Sequence, residues 1–423
     1  MKGSPVVIKK DAQCNMKKPL KIALIHDTDG RRNIGCRLTS GMLKRNLLEA
    51  SERVNPRVII EPIPWPFPRR TVLQELRSYT TSLGEISQQK LKYLATIEYG
   101  SRALEKVKNA DLIIFQPEGR ISRNDSAEKI FRMFSLPLYS SCFLKKKVLL
   151  LNGTLCGEDD KNYELIKFLT KHFYFISCRD ELSARAFNAE FVPDAAFSRK
   201  PSVVGKHHLS NRKYVAISTT AGKAPAENVR DARRALEVCK ILGKHPLILT
   251  MDYIHLESLF GEVISLGGRV IDYADISYAE ELLSDCVCHI GGRYHMAILS
   301  AVCGVPSFLV ETNSHKNEWL VENIYGISWL AELELAELEA YLERLEVRKI
   351  KNCAAQVGGM HERALLEIFS SLSEYPMEYQ KKSAHMERMC HSCFACIRQD
   401  MNLRLARRIK NIFVKKITKL RAR

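Results

Sequence analysis

An arginine and a histidine two positions apart, Arg293 and His295, are the residues in this sequence best suited to chemistry. The apolar run Asp285 to Ile290 predicts a buried strand, and Met296 to Val302 predicts an apolar helix. Two glycines separate them, so both polar residues fall at a strand-to-helix turn, where free N–H groups and the helix dipole favour an anion. With a guanidinium and an imidazole added, the pattern predicts a phosphate or carboxylate site. The alternative is a capped core helix carrying a solvated arginine and a buried histidine.

Other charged residues of interest lie further upstream. Arg179 and Asp194 both stand where ligands of open α/β sheets bind, beyond the carboxyl ends of strands. We expect Asp180 to be the N-cap of the helix Glu181 to Phe187 rather than a catalytic base. Asp194 either forms a turn after Pro193 or orients an arginine, and we favour the second interpretation.

The elements that must position these residues alternate between strands and helices. Such alternation predicts parallel βαβ units in an α/β fold. In the first half the strands are Lys21 to His26, Val58 to Ile63, Asp111 to Gln116 and Val148 to Asn152, and the helices are Arg37 to Ala50, Ile86 to Lys108 and Ala127 to Cys142.

The alternation restarts after a Pro/Ser/Gly/His-rich interval, Ser198 to Asn211, which indicates a linker between two domains. The strands are then Tyr214 to Ser218, Pro246 to Thr250 and Arg269 to Asp272, and the helices are Ala226 to Leu242, His255 to Leu266 and Tyr278 to Ser284. Helices Leu333 to Leu345 and Cys353 to Ser371 close the second domain. We predict a disordered N-terminus at 1–19, a first domain at 20–200, a second domain at 201–375, and a segment with cysteines and a basic tail at 376–423.

Four short elements resemble the polysaccharide pyruvyl transferase family. The stretch Ile290 to Pro306 is similar to the family's C-terminal motif. The segment from Arg179 to Ser183 is similar to the family's Arg-Asp-x-x-Ser element. The segment Pro193 to Phe197 resembles Pro-Asp-x-x-Phe, and Asn33-Ile-Gly35 resembles the Asn-x-Gly-Asp opening. All four stand in family order, over roughly residues 20 to 325.

The resemblance implies two Rossmann-like domains that face a cleft, as in GT-B glycosyltransferases. It also implies transfer of pyruvate from phosphoenolpyruvate to two hydroxyls of a sugar, with release of phosphate and no further cofactor. On the matching positions, Arg293 and His295 become catalytic candidates, with His295 as the acid. The implied donor-binding residues are Arg179, Gly292, Arg293 and Lys316. For Lys316, an ordinary surface lysine is the equal alternative.

Two departures from the family pattern lie in the first domain, which should face the acceptor. Cys36 stands where the family usually has aspartate, and Gln116 to Gly119 replaces a glycine cluster. We infer that Glu118 could act as the base for an acceptor hydroxyl. Candidates for the acceptor side are Asn33, Glu118 and Asp194.

Composition fits a large protein with sizeable cores. The chain has 423 residues, of which 46% are hydrophobic, so two domains are expected. We find neither an apolar signal-peptide core nor a run long enough to span a bilayer. The thirteen cysteines are scattered through apolar segments, where free thiols pack as small hydrophobes. We therefore expect a cytoplasmic protein.

The net charge of +17 is concentrated at the C-terminus. Met401 to Arg423 carries nine Lys or Arg and no acidic residue, and its apolar residues recur at three- and four-residue steps. This pattern predicts a basic amphipathic helical tail that binds an anionic membrane surface. A helix packed on its own domain is the alternative. Nucleic acid is disfavoured because the tail lacks interleaved aromatic residues.

A separate cluster, Cys390, Cys393 and Cys396, has the spacing of a zinc or iron–sulfur site. No clear fourth ligand follows, so we favour thiols without a metal.

We therefore predict a cytoplasmic pyruvyl transferase at the inner face of the membrane. Its acceptor would be a glycan or a lipid-linked glycan precursor. The alternatives are a glycosyltransferase with a nucleotide-sugar donor, and a non-catalytic homologue that binds a glycan or a partner.

Overall fold

A computed structural model describes most of the chain. The described residues are 19–52, 58–64, 88–121, 125–201, 211–249, 253–271, 275–310, 312, 315–325, 342 and 347–374. They contain two parallel β-sheets with helices packed on them.

The first sheet has six strands in the order β2-β1-β3-β4-β5-β6. The strands are β1 (Leu20–Ile25), β2 (Val58–Ile63), β3 (Leu112–Phe115), β4 (Lys147–Gly153), β5 (Phe175–Cys178) and β6 (Glu190–Phe191). The helices are α1 (Ile34–Glu52), α2 (Gln88–Tyr99), α3 (Ser101–Asn109), α4 (Ala127–Cys142), α5 (Tyr163–Thr170) and α6 (Glu181–Ala186), followed by a 3₁₀ turn at Ala195–Ser198.

The second sheet has five strands in the order β11-β10-β7-β8-β9. The strands are β7 (Tyr214–Ile217), β8 (His245–Leu249), β9 (Arg269–Ile271), β10 (Cys286–Gly291) and β11 (Ser307–Leu309). The helices are α7 (Pro225–Ile241), α8 (Phe260–Ser265), α9 (Ile276–Ser284), α10 (Tyr294–Val302), α11 (Lys316–Leu320) and α12 (Val347–Glu374), with a 3₁₀ segment at Tyr253–Leu259 and a π-helical turn at Val321–Tyr325.

Apolar runs explain why both sheets are parallel and covered. Every residue of β3 and of β10 is buried, which is the pattern of strands with helices on both faces. The described cysteines are free thiols, and most of them are buried in these layers. The two-sheet α/β architecture predicted from the alternation is confirmed.

The structure corrects three predicted helices. Ile86 to Lys108 is two helices, since Gly100 between them has φ 84°, a left-handed conformation that glycine adopts without strain. The segment His255 to Leu266 lies in a 3₁₀ segment followed by α8.

The third correction concerns the predicted helix Cys353 to Ser371, which belongs to the longer α12. This helix packs on α10 of the second half and also on α1 and the 3₁₀ turn of the first. His361 Nδ1 lies 2.7 Å from the carbonyl oxygen of Pro193, and Ser198 Oγ donates to the Gly358 carbonyl at 3.2 Å. The helix therefore joins the two halves instead of closing only the second.

Several predictions lie outside the described residues. They concern residues 1–18, most of the predicted linker (202–210), the helix Leu333 to Leu345 apart from Leu342, the cysteines Cys390, Cys393 and Cys396, and the basic tail Met401 to Arg423. Among the described helices, none combines the length and apolar character that a bilayer crossing requires.

Candidate active site

The predicted turn after β10 lies where the two halves of the molecule meet. Strand β10 ends at Gly291, and α10 begins at Tyr294 with Arg293 as an N-cap whose side chain makes no capping hydrogen bond. The first turn of α10 packs close to α1 of the first half. A helix start without a side-chain cap leaves backbone N–H groups to bind an anion.

Gly292 has a packing reason to be glycine. A Cβ at this position would collide with the side chain of Thr220, which follows β7. The Gly292 carbonyl accepts a hydrogen bond from Asn317 Nδ2 at 3.2 Å. The absent side chain thus lets the turn approach the neighbouring strand end.

Arg293 is partly buried beside the end of β7. Its Nε donates to Thr219 Oγ1 at 3.1 Å. Burial lowers the pKa of its guanidinium from the usual value, which shows that desolvation is only partly compensated here.

Arg179 reaches the same region from the first half, directly after β5. It is only 1% exposed. Its Nη1 donates to Asp194 Oδ2 at 2.6 Å and its Nε donates to Thr154 Oγ1 at 2.9 Å. Its guanidinium carbon lies 4.6 Å from the centre of the Tyr294 ring, a cation–π distance. These contacts hold the guanidinium in one orientation.

Asp194 orients this arginine, as the sequence analysis favoured, and it also reaches His295. Burial alone would raise the pKa of Asp194, but the charges of His295 and Arg179 outweigh it and the pKa lies well below its usual value. His295 Nε2 is 3.3 Å from Asp194 Oδ2 and 3.2 Å from Arg179 Nη1. Asp194, which the sequence predicts on the acceptor side, instead contacts the donor-side candidate Arg179 and the catalytic candidate His295.

Lys316, the first residue of α11, is buried, so the surface-lysine alternative is wrong. Its side chain is 8% exposed overall. Burial and then the charges of Arg179 and Arg293 lower its pKa to about 7. A Cβ on Gly119 would lie 2.7 Å from Arg179 Nη2 and 3.5 Å from Lys316 Nζ. Cationic groups from both halves therefore meet over this glycine.

Glu118 directly precedes Gly119 and has a left-handed conformation with φ 50°. The carboxylate accepts a short hydrogen bond from Thr28 Oγ1 and one from Gln116 Nε2 at 3.0 Å. Cys36 Sγ lies 3.7 Å from Glu118 Oε2. Burial, followed by the charge of Glu118, raises the pKa of the Cys36 thiol to about 12, so this thiol is protonated at neutral pH.

Two other predicted residues cap helices. Asn33 Oδ1 accepts from Cys36 N at 3.0 Å at the start of α1. Asp180 Oδ1 accepts from Ser183 N at 2.8 Å, so Asp180 is the N-cap of α6 as predicted. The side-chain oxygen of Asn33 therefore caps the start of α1.

Sequence reasoning missed the supporting residues. Thr154 and Thr219 hold the two arginines, and both are polar residues that directly or closely follow a buried strand. A polar residue just after a buried strand is a signal of a binding site that could have been used, because ligands of open α/β sheets bind beyond the carboxyl ends of strands. The stacking of Tyr294 under Arg179 joins the two halves and has no local signal.

The arrangement can bind a small polyanion. It combines Arg179, Arg293 and Lys316 with a helix N-terminus, and it places the His295 imidazole within the same cluster. Within the described part of the chain, no His, Cys, Asp and Glu side chains gather as a metal site.

Solved structures share this fold at low sequence identity. The UDP-GlcNAc 2-epimerase from Neisseria meningitidis bound to UDP-GlcNAc superposes with a TM-score of 0.54 at 11% identity, over 83% of this chain and 100% of the epimerase. S. aureus MnaA, solved with UDP, superposes with a TM-score of 0.53 at 12% identity, over 85% of this chain and 100% of MnaA. UDP-N-acetylglucosamine 2-epimerase from Rickettsia bellii superposes with a TM-score of 0.51 at 13% identity, over 85% of this chain and 98% of the epimerase. The GT-B-like fold is thereby confirmed.

Sequence comparison identifies the family. A search of curated proteins finds no match to the chain. The profile of the polysaccharide pyruvyl transferases matches residues 46–314, which is more than half of the chain and includes Arg179, Asp194, Arg293 and His295. The chain therefore belongs to the polysaccharide pyruvyl transferase family.

Proposed function

We propose that this protein transfers pyruvate from phosphoenolpyruvate to two hydroxyls of a sugar. The acceptor would be a glycan or a lipid-linked glycan precursor, and the products a cyclic ketal and phosphate. Family membership supports a transferase acting on a polysaccharide.

One observation carries the choice of donor. Arg179, Arg293 and Lys316 converge in a largely buried space, where burial and then the charges of the two arginines lower the pKa of the lysine. Like charges at such a place are unfavourable unless a ligand compensates them. Phosphoenolpyruvate carries a phosphate and a carboxylate on neighbouring atoms, and arginines bind both groups in bidentate geometry.

His295 would supply the proton for the reaction. Protonation of the enol carbon C3 makes C2 electrophilic, and an acceptor hydroxyl then adds to C2. Loss of phosphate breaks the C2–O bond, and the second hydroxyl closes the ketal. One hydroxyl proton returns to the imidazole and the other leaves with phosphate. Asp194, 3.3 Å from His295 Nε2, would stabilise the imidazolium form.

Glu118 would serve the acceptor hydroxyls. Its carboxylate is buried, and it contributes a favourable charge to both Arg179 and Lys316. A carboxylate so close to the cationic cluster is positioned to take a proton from a hydroxyl that approaches C2 and to pass this proton to the departing phosphate.

We further propose that the enzyme works at the cytoplasmic face of a membrane. The nine basic residues and the apolar stripe of Met401 to Arg423 support this proposal. A test is the binding of the full chain, and of a chain ending at residue 400, to anionic and neutral vesicles. Unchanged binding after truncation would contradict it.

A nucleotide sugar is the alternative donor, because MnaA was solved with UDP and the meningococcal epimerase with UDP-GlcNAc. A non-catalytic binding protein is the other alternative, because Cys36 and Gln116 to Gly119 depart from the family pattern. Ligand-induced stabilisation followed by phosphate release distinguishes the three.

The deciding experiment is a thermal shift with phosphoenolpyruvate and with UDP- and GDP-hexoses. At a hundred times its dissociation constant, a ligand that binds only the folded state stabilises it by about 2.7 kcal/mol. Each kcal/mol raises the melting temperature of a domain of this size by about 2–4 °C. We expect phosphoenolpyruvate to give a clear shift and Arg293→Ala to abolish it.

Arg230→Ala is the matched control, because Arg230 is an exposed arginine on α7. It should leave the shift intact. A shift with a nucleotide sugar that Arg293→Ala abolishes, together with none from phosphoenolpyruvate, would establish the glycosyltransferase alternative. Binding of phosphoenolpyruvate without phosphate release, tested with a range of glycan acceptors, would favour the non-catalytic one.

A further inference from the structure

A buried hydrogen bond between Asp180 and His315 joins the two halves next to the proposed donor site. His315 Nε2 lies 2.7 Å from Asp180 Oδ1. The Asp180 side chain is 1% exposed and the His315 side chain is 5% exposed. Charge-assisted hydrogen bonds of this kind are strong when water is excluded.

Each partner of this bond stands directly beside a cation of the donor site. Asp180 follows Arg179 in the chain, and His315 precedes Lys316. The two cations come from different halves, from the end of β5 and from the start of α11. The contact between Asp180 and His315 therefore constrains the distance between Arg179 and Lys316.

The Asp180 end of the bond is fixed within the first half. The same carboxylate oxygen, Oδ1, accepts from the backbone N–H of Ser183 at 2.8 Å as the N-cap of α6. Ser183 Oγ in turn lies 3.2 Å from His315 Nε2 and accepts from Leu155 N at 3.1 Å. His315 is thus bonded to a carboxylate that also caps the start of α6.

Lys316 is held from its other side by the next residue in the chain. Asn317 Nδ2 donates to the carbonyl of Gly292, in the turn that leads to Arg293. The backbone around Lys316 is therefore tied to the first half through His315 and to the α10 turn through Asn317.

These ties oppose a specific force. The Arg179 guanidinium and the Lys316 ammonium group meet over Gly119, and burial together with the charges of Arg179 and Arg293 makes the ammonium form of Lys316 unfavourable there. Without an attachment near residue 316, this repulsion would displace Lys316 from the two arginines.

We propose that Asp180 and His315 are a positioning pair that brings Lys316 to the donor anion, so that the donor site is complete only when the two halves are closed. In this proposal the pair acts through Lys316 and not by contact with a substrate. This inference rests on the proposed donor site.

A second contact between the same elements provides a matched control. Trp319 Nε1, one turn further along α11, donates to Glu181 Oε1 at 3.3 Å, and this bond is only partly buried. Glu181→Ala removes a bond between the halves but leaves residues 180 and 315 to 317 unchanged.

The test compares His315→Leu, His315→Gln and Glu181→Ala with the wild type. Dissociation constants for phosphoenolpyruvate and for inorganic phosphate are measured calorimetrically, well below the melting temperature of every variant. The glutamine amide nitrogen can reach the place of Nε2 and donate to Asp180, whereas leucine cannot. We expect His315→Leu to weaken binding about 10-fold or more, and His315→Gln and Glu181→Ala to stay within about 2-fold of wild type.

Steady-state kinetics give a second readout. In His315→Leu, the KM for phosphoenolpyruvate should rise while the KM for the acceptor stays unchanged. A variant that only loses stability would show a lower melting temperature and normal binding of both anions, and that result would overturn the proposal. Equal weakening in Glu181→Ala would also overturn it, since any loosening of the halves would then suffice.

The anion probes separate this proposal from the proposed function. If the wild type binds phosphate but not phosphoenolpyruvate, the donor assignment is wrong, and the phosphate series still tests the pair. If the wild type binds neither anion, both proposals are wrong.

Discussion

Gly35 and His295 approach each other across the two halves of the molecule. A Cβ built on Gly35 would lie 2.7 Å from His295 Cβ and 2.8 Å from Nδ1. The Cβ of His295 is attached to the helix backbone and cannot rotate away. The absence of a side chain at residue 35 therefore allows α1 to lie against the first turn of α10.

Gly35→Ala should consequently separate the halves at the site. We expect the protein to fold and its phosphate release to fall by about 10-fold or more, because small displacements of reacting groups are costly in catalysis. Gly41→Ala is the control on the same helix, since its new Cβ would have its nearest neighbour at 3.6 Å. Full activity in Gly35→Ala would show that the contact is dispensable.

His295→Ala should lose turnover but still bind the donor. Arg179 and Arg293 remain to hold the anion, whereas the proposed acid is gone, which removes about 10²–10⁴-fold in rate. Single-turnover phosphate release and the thermal shift with phosphoenolpyruvate measure the two effects separately. His245→Ala, at an exposed position on β8, is the control. Near-normal phosphate release from His295→Ala would refute its role as the acid.

Lys316→Met should stabilise the unliganded protein while it abolishes donor binding. The pKa of Lys316 is lowered to about 7 in the folded state, so its buried charge opposes folding at lower pH. Between pH 7 and its usual pKa, the unfolded chain binds the extra proton, and wild-type stability rises with pH. At pH 6 the variant should gain up to about 5 kcal/mol in free energy of unfolding.

Denaturant titrations at pH 6 and pH 9 measure this gain, which should be smaller at pH 9. Lys213→Met, outside the site, should show no such dependence on pH. A Lys316→Met variant that is less stable than wild type at pH 6 would contradict the unfavourable burial of this charge.

Donor binding should take up a proton near pH 8. The Lys316 amine is largely neutral there in the free protein, and a bound phosphate or carboxylate would raise its pKa and favour the ammonium form. Calorimetry in buffers of different ionisation enthalpy gives the number of protons taken up. We expect uptake at pH 8 that disappears in Lys316→Met, and affinity that decreases as the pH rises above about 7. Equal proton uptake by the wild type and by Lys316→Met would show that a group other than Lys316 takes up the proton.

Much of the fold was predictable because its signals are local. Apolar runs such as Val58–Ile63 and helical periodicity such as Ala127–Cys142 coincide with the observed elements. Gly100 shows the limit, since one glycine within an otherwise helical pattern does not reveal its left-handed φ. The capping role of Asp180 was likewise readable, because an N-cap depends on residues within one turn.

The site itself was readable only in part. The residue types at the β10–α10 turn and at Arg179 predicted an anion site, because strand ends and helix starts are determined locally. The burial of Lys316, the stacking of Tyr294 on Arg179 and the contact of Gly35 with His295 carried no such signal.

The sequence alone therefore determined the two α/β halves and the residues able to bind an anion. Tertiary structure decided which of these residues meet. Asp180 and His315 are separated by 135 residues, and Arg179 and His295 by 116. Contacts at such separations depend on how the two sheets and α12 pack together. That packing determines in turn which charges are buried, and burial sets their pKa values.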